Sequence, residues 1–539
     1  MLEVIPVIDL FAGPGGLNEG FAASRGYEKD FSVRLSIESD NAAHRTLELR
    51  SFFRQLAKKT VPEEYYDYLR GQILREELFE KFPAAAGAAA DIAWHAVLGE
   101  EPFENVTKRI RSALPEDTSH WVLLGGPPCQ AYSTMGRSRM RGFGGFDNDH
   151  RHLLYREYMK IVAAFNPTVF VMENVKGLLS SMHQDQLIFG QMLADMRDPW
   201  ASLSTADKRQ VPRPTMSHGY RIYSFTKPVV GEEELSPTDY VIEAEHFGIP
   251  QRRHRVILLG IRSDYDVAPE PLEPAGSLVS VGDVIGSMPK IRSSLSRNAG
   301  PDNADNWAKH VRGVLRCGCF PEIDDVDVKR KIRAAVKVAT RRQSNGRHFI
   351  KGKFRPDQLS SWLYDPRLGG VVQHQSKSHM ASDLHRYMFA SSYAAVKKRS
   401  PRLIDFPPSL LPNHSNAKTH LRRTNGNKPA FNDRFRVQIR AKPATTVTAH
   451  LKKDGHYFIH PDPTQCRALT QREAARLQTF PDNYFFEGST GSQLQQIGNA
   501  VPPFLAFQLA DIVAEVIEKC CEIDFRIEPN SNVKYISSG

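Results

Sequence analysis

Cysteine is scarce in this chain, with 6 among 539 residues and no regular spacing between them. That scarcity excludes a disulfide framework of the kind that staples small secreted domains, and it points to a reducing compartment. Long apolar runs are missing as well. No run approaches the ~18 residues that a membrane-spanning helix requires, so no membrane association is expected. The start, MLEVIPVIDLFAG, carries no basic segment ahead of its apolar run and no cleavage-like site. It reads as a core strand rather than a signal peptide. No internal repeat is visible, which sets aside solenoids and propellers. The expectation is a soluble, cytoplasmic globular protein.

What is present fits that class. Hydrophobic residues make up 41% and charged residues 24%, enough for a real core under an ordinary surface. The length suggests two or three domains. A formal charge of +10 and a pI near 9.2 favour a polyanionic partner.

Residues 1–265 alternate short apolar runs with helical patterns, the signature of an α/β fold with a mostly parallel sheet. Val4–Ile8, Val33–Ile37, Trp121–Leu124, Val169–Met172, Tyr240–Ala244 and Val256–Ile261 all have strand length. Most are near-continuously hydrophobic, which fits strands covered on both faces. Val33–Ile37 alternates, which suits a place nearer an edge. Leu154, Tyr158, Ile161, Val162 and Phe165 recur at helical spacing. Residues 45–115 and 180–218 read as helical or loop elaborations.

From 266 to 435 apolar periodicity weakens, and Pro, Asn, Ser, His and basic residues dominate, so a second, smaller domain is expected there. Regularity returns over 436–525, which is expected to complete the first domain. TQRE at Thr470–Glu473 is a capping box opening a helix that Pro481 ends. Pro503 suits a first helical position, with Leu505, Leu509, Ile512, Val513 and Val516 on one face.

The chemistry is carried at strand ends. The first strand runs into Asp9-Leu-Phe-Ala-Gly-Pro-Gly-Gly16 and then a helical segment. Such a glycine turn lets backbone approach a ligand closely, and the acid ending the next strand, Glu38, is placed to bind ribose hydroxyls. The run WVLL leads into Gly125-Gly-Pro-Pro-Cys-Gln-Ala-Tyr-Ser133. Cysteine is usually a small buried hydrophobe. Cys129 instead follows a strand end in a loop stiffened by two prolines, which suits an exposed, aimed thiolate. Val169–Met172 delivers Glu173-Asn174-Val175, and a further strand approach carries Phe247-Gly-Ile-Pro-Gln-Arg-Arg-His-Arg255.

Taken together, DLFAGPGG, GGPPCQAYS, ENV, FGIPQRRHR, RALTQREAARLQTFPD and GNAVPP resemble the DNA (cytosine-5)-methyltransferase family of the bacterial type, in that family's order. The resemblance spans roughly 1–265 and 436–525. It implies a Rossmann-like domain binding S-adenosyl-L-methionine, with 266–435 as the target-recognition domain. It also implies a restriction-modification or orphan methylase acting as a monomer on double-stranded DNA in the bacterial cytoplasm, with or without a cognate restriction endonuclease. A tRNA cytosine-5 methyltransferase is the alternative, since that subgroup shares the PPCQ and ENV chemistry.

The implied mechanism explains the residue types. Cytosine C5 is a poor nucleophile, and addition of the Cys129 thiolate at C6 turns the ring into an enamine. Glu173, protonated or sharing a proton, would stabilise charge developing near N3. Arg255 would donate to the cytosine O2, Arg253 would fix the same region or a phosphate, and Asn174 would steady the loop. Phe11 would lie against the adenine, Gly13 and Gly15 near the methionine portion, and Glu38 on the ribose. Asn499 and Val501 would close the pocket. The acid usually supplied to the adenine amino group from the third strand has only Asp91 as a candidate. A base within a duplex cannot reach such a cleft and must be flipped out. Ser133, Arg137 and Arg139 belong to the loop expected to close over it.

Lys329–Arg355 holds eleven Lys or Arg and no Asp or Glu. Lys329, Arg330 and Lys331 are therefore expected at the DNA. Cys317-Gly-Cys319, with His310 nearby, lacks a second matched pair, so no metal site is expected.

Overall fold

The computed structural model describes residues 3–24, 29–57, 60–116, 118–127, 150–183, 186–211, 218–228, 234–412 and 432–527. Cys129, Ser133, Arg137 and Arg139 lie outside the described residues.

Eight strands form one sheet. They are β1 (Glu3–Leu10), β2 (Lys29–Glu38), β3 (Ala93–His95), β4 (Val122–Gly125), β5 (Val169–Val175), β6 (Tyr220–Ser224), β7 (Val241–Glu243) and β8 (His254–Arg262). The order is β3-β2-β1-β4-β5-β8-β6, with β7 also paired to β8. The first five are mutually parallel, and β8 is antiparallel to β5, β6 and β7. This is the Rossmann-like, mostly parallel α/β architecture expected. Four of the six apolar runs fall within its strands, while Trp121–Leu124 starts one residue before β4 and Tyr240–Ala244 overruns β7 by one residue at each end. β3 and β6 had no signal: β3 has three residues, too few to show a period, and β6 (YRIYS) interrupts its apolar residues with exposed Arg221.

Both faces of the sheet are covered, so its central residues are apolar on both sides. On one face Leu17 and Phe21 of α1 (Gly16–Ala23) and Leu505, Leu509 and Val513 of the C-terminal helix pack on Ile5, Val7, Val33 and Leu124. On the other, Val106 and Ile110 meet Tyr158, Ile161 and Val162 over Ile8, Leu35, Leu123 and Phe170. The C-terminal helix, Pro503–Ile527, starts at the proline the sequence marked. Contrary to the sequence expectation, Thr490–Phe525 contains an 18-residue window of mean hydropathy 1.6, long and apolar enough for a membrane span by composition. That window is 72% buried inside the protein, where it serves as the sheet's cover.

Residues 41–92 form four helices, α2 (Asn41–Ala57), α3 (Glu63–Arg70), α4 (Arg75–Lys81) and α5 (Pro83–Ile92). Their apolar faces, Leu49, Phe52, Tyr65, Leu69 and Leu78, meet Leu368 and Val372 of the middle region. Arg70 donates to the carbonyls of Arg367 and Leu368, and Tyr66 donates to Asp365. This insertion thereby grips the Gly346–Lys351/Gly370–Gln375 hairpin and fixes where the middle region stands.

The middle region has its own apolar cluster, built from Trp307, Val311, Ile332, Val336, Leu384, Tyr387 and Met388. Phe435, Val437, Ile459 and Cys466 join it from the segment that leads back to the sheet. Cys317 and Cys319 are disulfide-bonded to each other, a local bridge that the sequence gave no reason to expect. Thr470 caps Gln471–Leu477 as expected, its hydroxyl accepting from Glu473 N while Glu473 reaches back to Thr470 N.

Candidate active site

The strand ends of β1, β2, β4 and β5 and the returning segment enclose a cavity of about 610 Å³. At one end lies the glycine turn. Phe11 (φ 55°), Gly13 (φ 58°) and Gly15 (φ 90°) take left-handed backbone, a costly conformation for phenylalanine that persists only where the surroundings enforce it. A Cβ added to Gly13 would meet no protein atom within 4 Å. The turn is held from both sides: Tyr484 donates to the Pro14 carbonyl, and Glu38 Oε2 accepts from Gly13 N at 2.7 Å. Glu38 Oε1 accepts from Asp40 N at 2.7 Å. Burial raises the Glu38 carboxyl above its usual range, while these two N–H groups pull the other way. A carboxylate has about four lone-pair sites, so both oxygens keep acceptor capacity towards the cavity.

Asp9, which also lines the cavity, is 1% exposed. Neither carboxylate oxygen has a hydrogen-bond partner in good geometry among the described residues. Burial pushes this carboxyl up to about 7, opposed by the nearby Asn18 amide.

The other end belongs to β4, β5 and β8. Glu173 and Arg255 project from neighbouring antiparallel strands, with Arg255 Nε 2.8 Å from Glu173 Oε1. This is an ion pair by distance, although the Nε–H is not directed along a hydrogen bond. Arg255 Nη1 donates to the His254 carbonyl at 2.8 Å. A Cβ on Gly126 would come within 3.3 Å of Glu173 Oε2, so Gly126 lies directly against the acid. Asn174 Nδ2 reaches the Pro127 carbonyl at 3.4 Å, the loop contact expected of it. Two residues beyond Pro127 comes Cys129.

Arg253 is placed differently from the sequence expectation. It is 1% exposed and donates to the carbonyls of Val447 (3.0 Å), Gly498 (3.2 Å) and Asn499 (3.3 Å). A guanidinium spent on buried carbonyls cannot also grip a phosphate, so the geometry argues against that role. Burial, then the neighbouring Arg255, hold its pKa well below the ordinary arginine value. Arg253 braces the wall of the cavity, and Gln251 does the same through Leu477 O and Val447 N.

Asn499 and Val501 line the cavity as expected. Asp91 does not. It sits exposed in α5, with Arg109 donating to its carbonyl at 2.6 Å, and the cavity wall after β3 is Ala96, Val97 and Leu98. The candidate is withdrawn, because the third strand follows Asp91 rather than preceding it. Thr448, Ala449, His450 and Gln495 also line the cavity, and nothing in the sequence singled them out. The TVTAH run had no spacing signal to raise it above a loop.

Elsewhere, Lys329, Arg330 and Lys331 open the helix Val326–Ala339, well apart in sequence from the cavity residues. Lys331 is exposed, Arg330 pairs with Asp327 at 3.0 Å, and Lys329 Nζ donates to the Pro321 carbonyl at 3.2 Å. The arginines of RALTQREAARLQTFPD are structural. Arg467 makes two 2.6 Å bonds to Glu473, and Arg476 bonds Asp482 at 2.8 and 2.7 Å, all buried.

The family model for C-5 cytosine-specific DNA methylases matches residues 89–198 and 236–515. The chain belongs to that family. Among its relatives, the Type II methyltransferase M.Bpa9945I of Bacillus paralicheniformis is 30% identical, covering 95% of this chain and 99% of its own length. M.AgeI of Thalassovita gelatinovora, also a Type II methyltransferase, is 27% identical over 95% and 99%. The DNA (cytosine-5-)-methyltransferase M.ApeKI of Aeropyrum pernix is 23% identical over 95% and 98%. This methylase is therefore an S-adenosylmethionine-dependent enzyme by family. Its cavity passes a direct test of fit. It has a left-handed glycine turn open to a ligand, an aromatic ring at Phe11, a pinned acid at Glu38 and, at Asp9, a buried carboxylate without a well-aligned hydrogen-bond partner among the described residues.

Proposed function

We propose that this methylase modifies C5 of a flipped-out cytosine within a specific double-stranded DNA sequence, through a covalent bond between Cys129 and C6. The observation that carries the reading is the single cavity. It joins the glycine turn and Glu38 at one end to Glu173, Arg255 and the turn leading into Cys129 at the other. When bound, S-adenosylmethionine supplies the electrophilic methyl group that C5 takes. Phe11, Gly13 and Glu38 would hold it, and Asn499 and Val501 would close over it, while Gly15, whose Cβ side faces Asn18, Leu47 and Tyr484, would shape the turn.

The chain's own residues do the rest. The Cys129 thiolate adds to C6, and Glu173 serves the developing charge at N3 with a proton. Arg255 holds Glu173 in place and offers its remaining N–H groups to the base at O2. Loss of the C5 proton to water then expels Cys129. Arg253 positions the wall and touches no substrate. Ser133, Arg137 and Arg139 close over the extruded base. Residues 1–265 with 436–525 form the catalytic unit, and 266–435 recognise the target, with Lys329, Arg330 and Lys331 on the phosphates.

Two of the relatives above are named Type II methyltransferases, which supports a place in a restriction-modification system beside a cognate endonuclease. The protein is proposed to work as a monomer in the bacterial cytoplasm. The tRNA alternative finds no support, since the family and these relatives are DNA methylases.

The test is a denaturation-resistant adduct with duplex DNA carrying 5-fluorocytosine, where fluorine cannot leave as a proton does. Wild type should form it. Cys129→Ser should bind cofactor normally, form no adduct and transfer no methyl group. An adduct in the Ser variant would overturn the assignment.

A further inference from the structure

One short stretch of the cavity wall is held by two cations that come from different parts of the chain. Thr448, Ala449 and His450 line the cavity at the start of the helical turn Ala449–Lys452. From the catalytic side, Arg253 donates to the Val447 carbonyl just ahead of that turn. A Cβ on Gly498 would stand 2.2 Å from Ala449 N and 2.3 Å from Thr448 C, so the backbone of the turn is pressed against the GNAVPP segment. Lys452 Nζ donates to Gln495 Oε1 at 2.6 Å, and Leu451 shares an apolar cluster with Leu494 and Ile497.

The second cation is Lys377, which has no part in the chemistry above. It is half-buried, and its ammonium donates to the Leu451 carbonyl and, at 3.2 Å, to the Lys453 carbonyl. Hydrogen bonds from an ionised donor are the strong ones, and two of them fix the far end of the turn. The backbone that carries Lys377 belongs to the middle region. It follows directly on Gly370–Gln375, one strand of the hairpin. Ser376 N donates to the Asn345 carbonyl at 2.9 Å, just ahead of the hairpin's other strand, and Ser376 Oγ accepts from Ser294 N at 2.7 Å. Ser378 and His379 then pair in parallel with Ser294 and Leu295. A shift of the hairpin is therefore carried to Lys377, and through Lys377 to the turn.

We propose that Lys377 is a positioning residue that couples target recognition to methyl transfer, setting the cavity wall at Ala449 and His450 according to where the middle region stands. The inference rests on the proposed division of the chain, in which 266–435 read the target and 436–525 complete the catalytic unit. Lys377 touches neither base nor cofactor in this role. It stabilises one placement of the wall, and a misplacement of ~1 Å far from the reacting atoms can cost ~10²-fold in rate. Its loss therefore slows the chemical step more than it weakens DNA binding. Sequence spacing could not show the link, because residues 377 and 451 meet only when the middle region folds back on the returning segment.

The experiment compares wild type, Lys377→Met and Lys377→Gln in single-turnover transfer from tritiated S-adenosylmethionine. The substrate is bacterial genomic DNA free of cytosine methylation, at saturating DNA and cofactor. Affinity for sheared fragments of the same DNA is measured across a range of salt, and melting temperatures show that each variant is folded at the assay temperature. Lys377→Met should lower the transfer rate at least ~10-fold, within the range that misplacement can cause. Its DNA affinity should stay near that of wild type, with an unchanged slope of log affinity against log salt. Lys377→Gln, which keeps an uncharged donor, should fall between the two, and it carries the test if the Met variant does not fold. Transfer at the wild-type rate in the folded variants would overturn the proposal. So would a slope flattened by ~0.9, which would make Lys377 a phosphate contact instead. Wild-type transfer in the same assay leaves the methylase reading standing in either case, whereas no transfer by wild type would sink that reading and the coupling with it.

Discussion

A methyl group added at Gly16 tests how the cofactor cavity is closed, because two effects of opposite sign compete there. Gly16 opens α1, and an ideal Cβ on it would stand 2.2 Å from the Val501 carbonyl oxygen and 3.2 Å from the Val501 carbonyl carbon. Alanine favours a helix over glycine by at most ~1 kcal/mol. Against that gain, the carbonyl must retreat by roughly 1 Å, and overpacking of a tight contact costs ~1–3 kcal/mol. The neighbour is backbone rather than a flexible side-chain tip. Its movement is resisted by Arg253, which holds Gly498 O and Asn499 O, and by Gln478, whose Nε2 donates to Ile497 O at 2.5 Å. The steric term should win. Gly16→Ala should therefore lower the melting temperature of the apoprotein, and because Val501 lines the cavity it should weaken cofactor binding by ~10-fold or more, equivalent to ~1.4 kcal/mol. Differential scanning fluorimetry and calorimetric titration with S-adenosylmethionine measure the two effects separately. An alanine variant as stable as wild type with unchanged affinity would mean that the returning segment gives way freely. The tight closure inferred for the pocket would then be wrong.

Glu173→Gln should cut turnover by ~10²-fold or more while leaving DNA and cofactor affinity nearly unchanged, as loss of an acid–base group does; single-turnover kinetics check it, and near-wild-type turnover would make Glu173 a partner of Arg255 only. Asp9 titrates at about 7 in the folded protein against an ordinary value of 3.8. With the folded value raised, its contribution is fully present at acid pH and is lost as pH climbs through neutrality, by up to ~4 kcal/mol. Apoprotein melting temperatures should therefore fall from mildly acid to mildly alkaline pH in wild type and change less in Asp9→Asn. Replacing Lys329, Arg330, Lys331 and Arg333 with Gln should weaken binding to specific and random duplexes alike, flattening the slope of log affinity against log salt by ~0.9 for each phosphate no longer neutralised. An unchanged slope would mean that these side chains form an ordinary solvated helix face.

Much of the site was legible because its residues stand at strand ends, and strand ends announce themselves locally. Val169–Met172 is continuously apolar, Glu173 is the first polar residue after it, and the sheet turns that position towards the cavity. Phe11, Gly13 and Glu38, read by the same logic, line one cavity. That logic failed at Asp91 because the third strand has only three residues and follows four helices within a stretch that the sequence marks only as helical or loop elaboration. Asp91 is an acid in the right sequence neighbourhood, but it stands before the strand and not at its end. The basic run had the opposite weakness, since charge is plain in sequence but direction is not. Arg342, counted with the others, is bound to Thr464 at 2.6 Å and lies 3.8 Å from Asp462.

The two arginines of QRRHR show where sequence periodicity stops deciding. Arg253 and Arg255 are two residues apart, so a regular extended chain would send both the same way. Both do line the cavity. Yet one ends against Glu173, and the other is sealed under carbonyls of residues 447, 498 and 499. What separates them is the cover that arrives some two hundred residues later, and no local pattern contains it. The motif GNAVPP is then better understood as the lid that Arg253 fastens than as a ligand-contacting loop alone. That division of labour gives a single segment both a brace and a cavity-facing guanidinium. The brace ties the returning cover to the cavity wall, while the pairing of β5 with β8 lets Arg255 meet Glu173 at 2.8 Å.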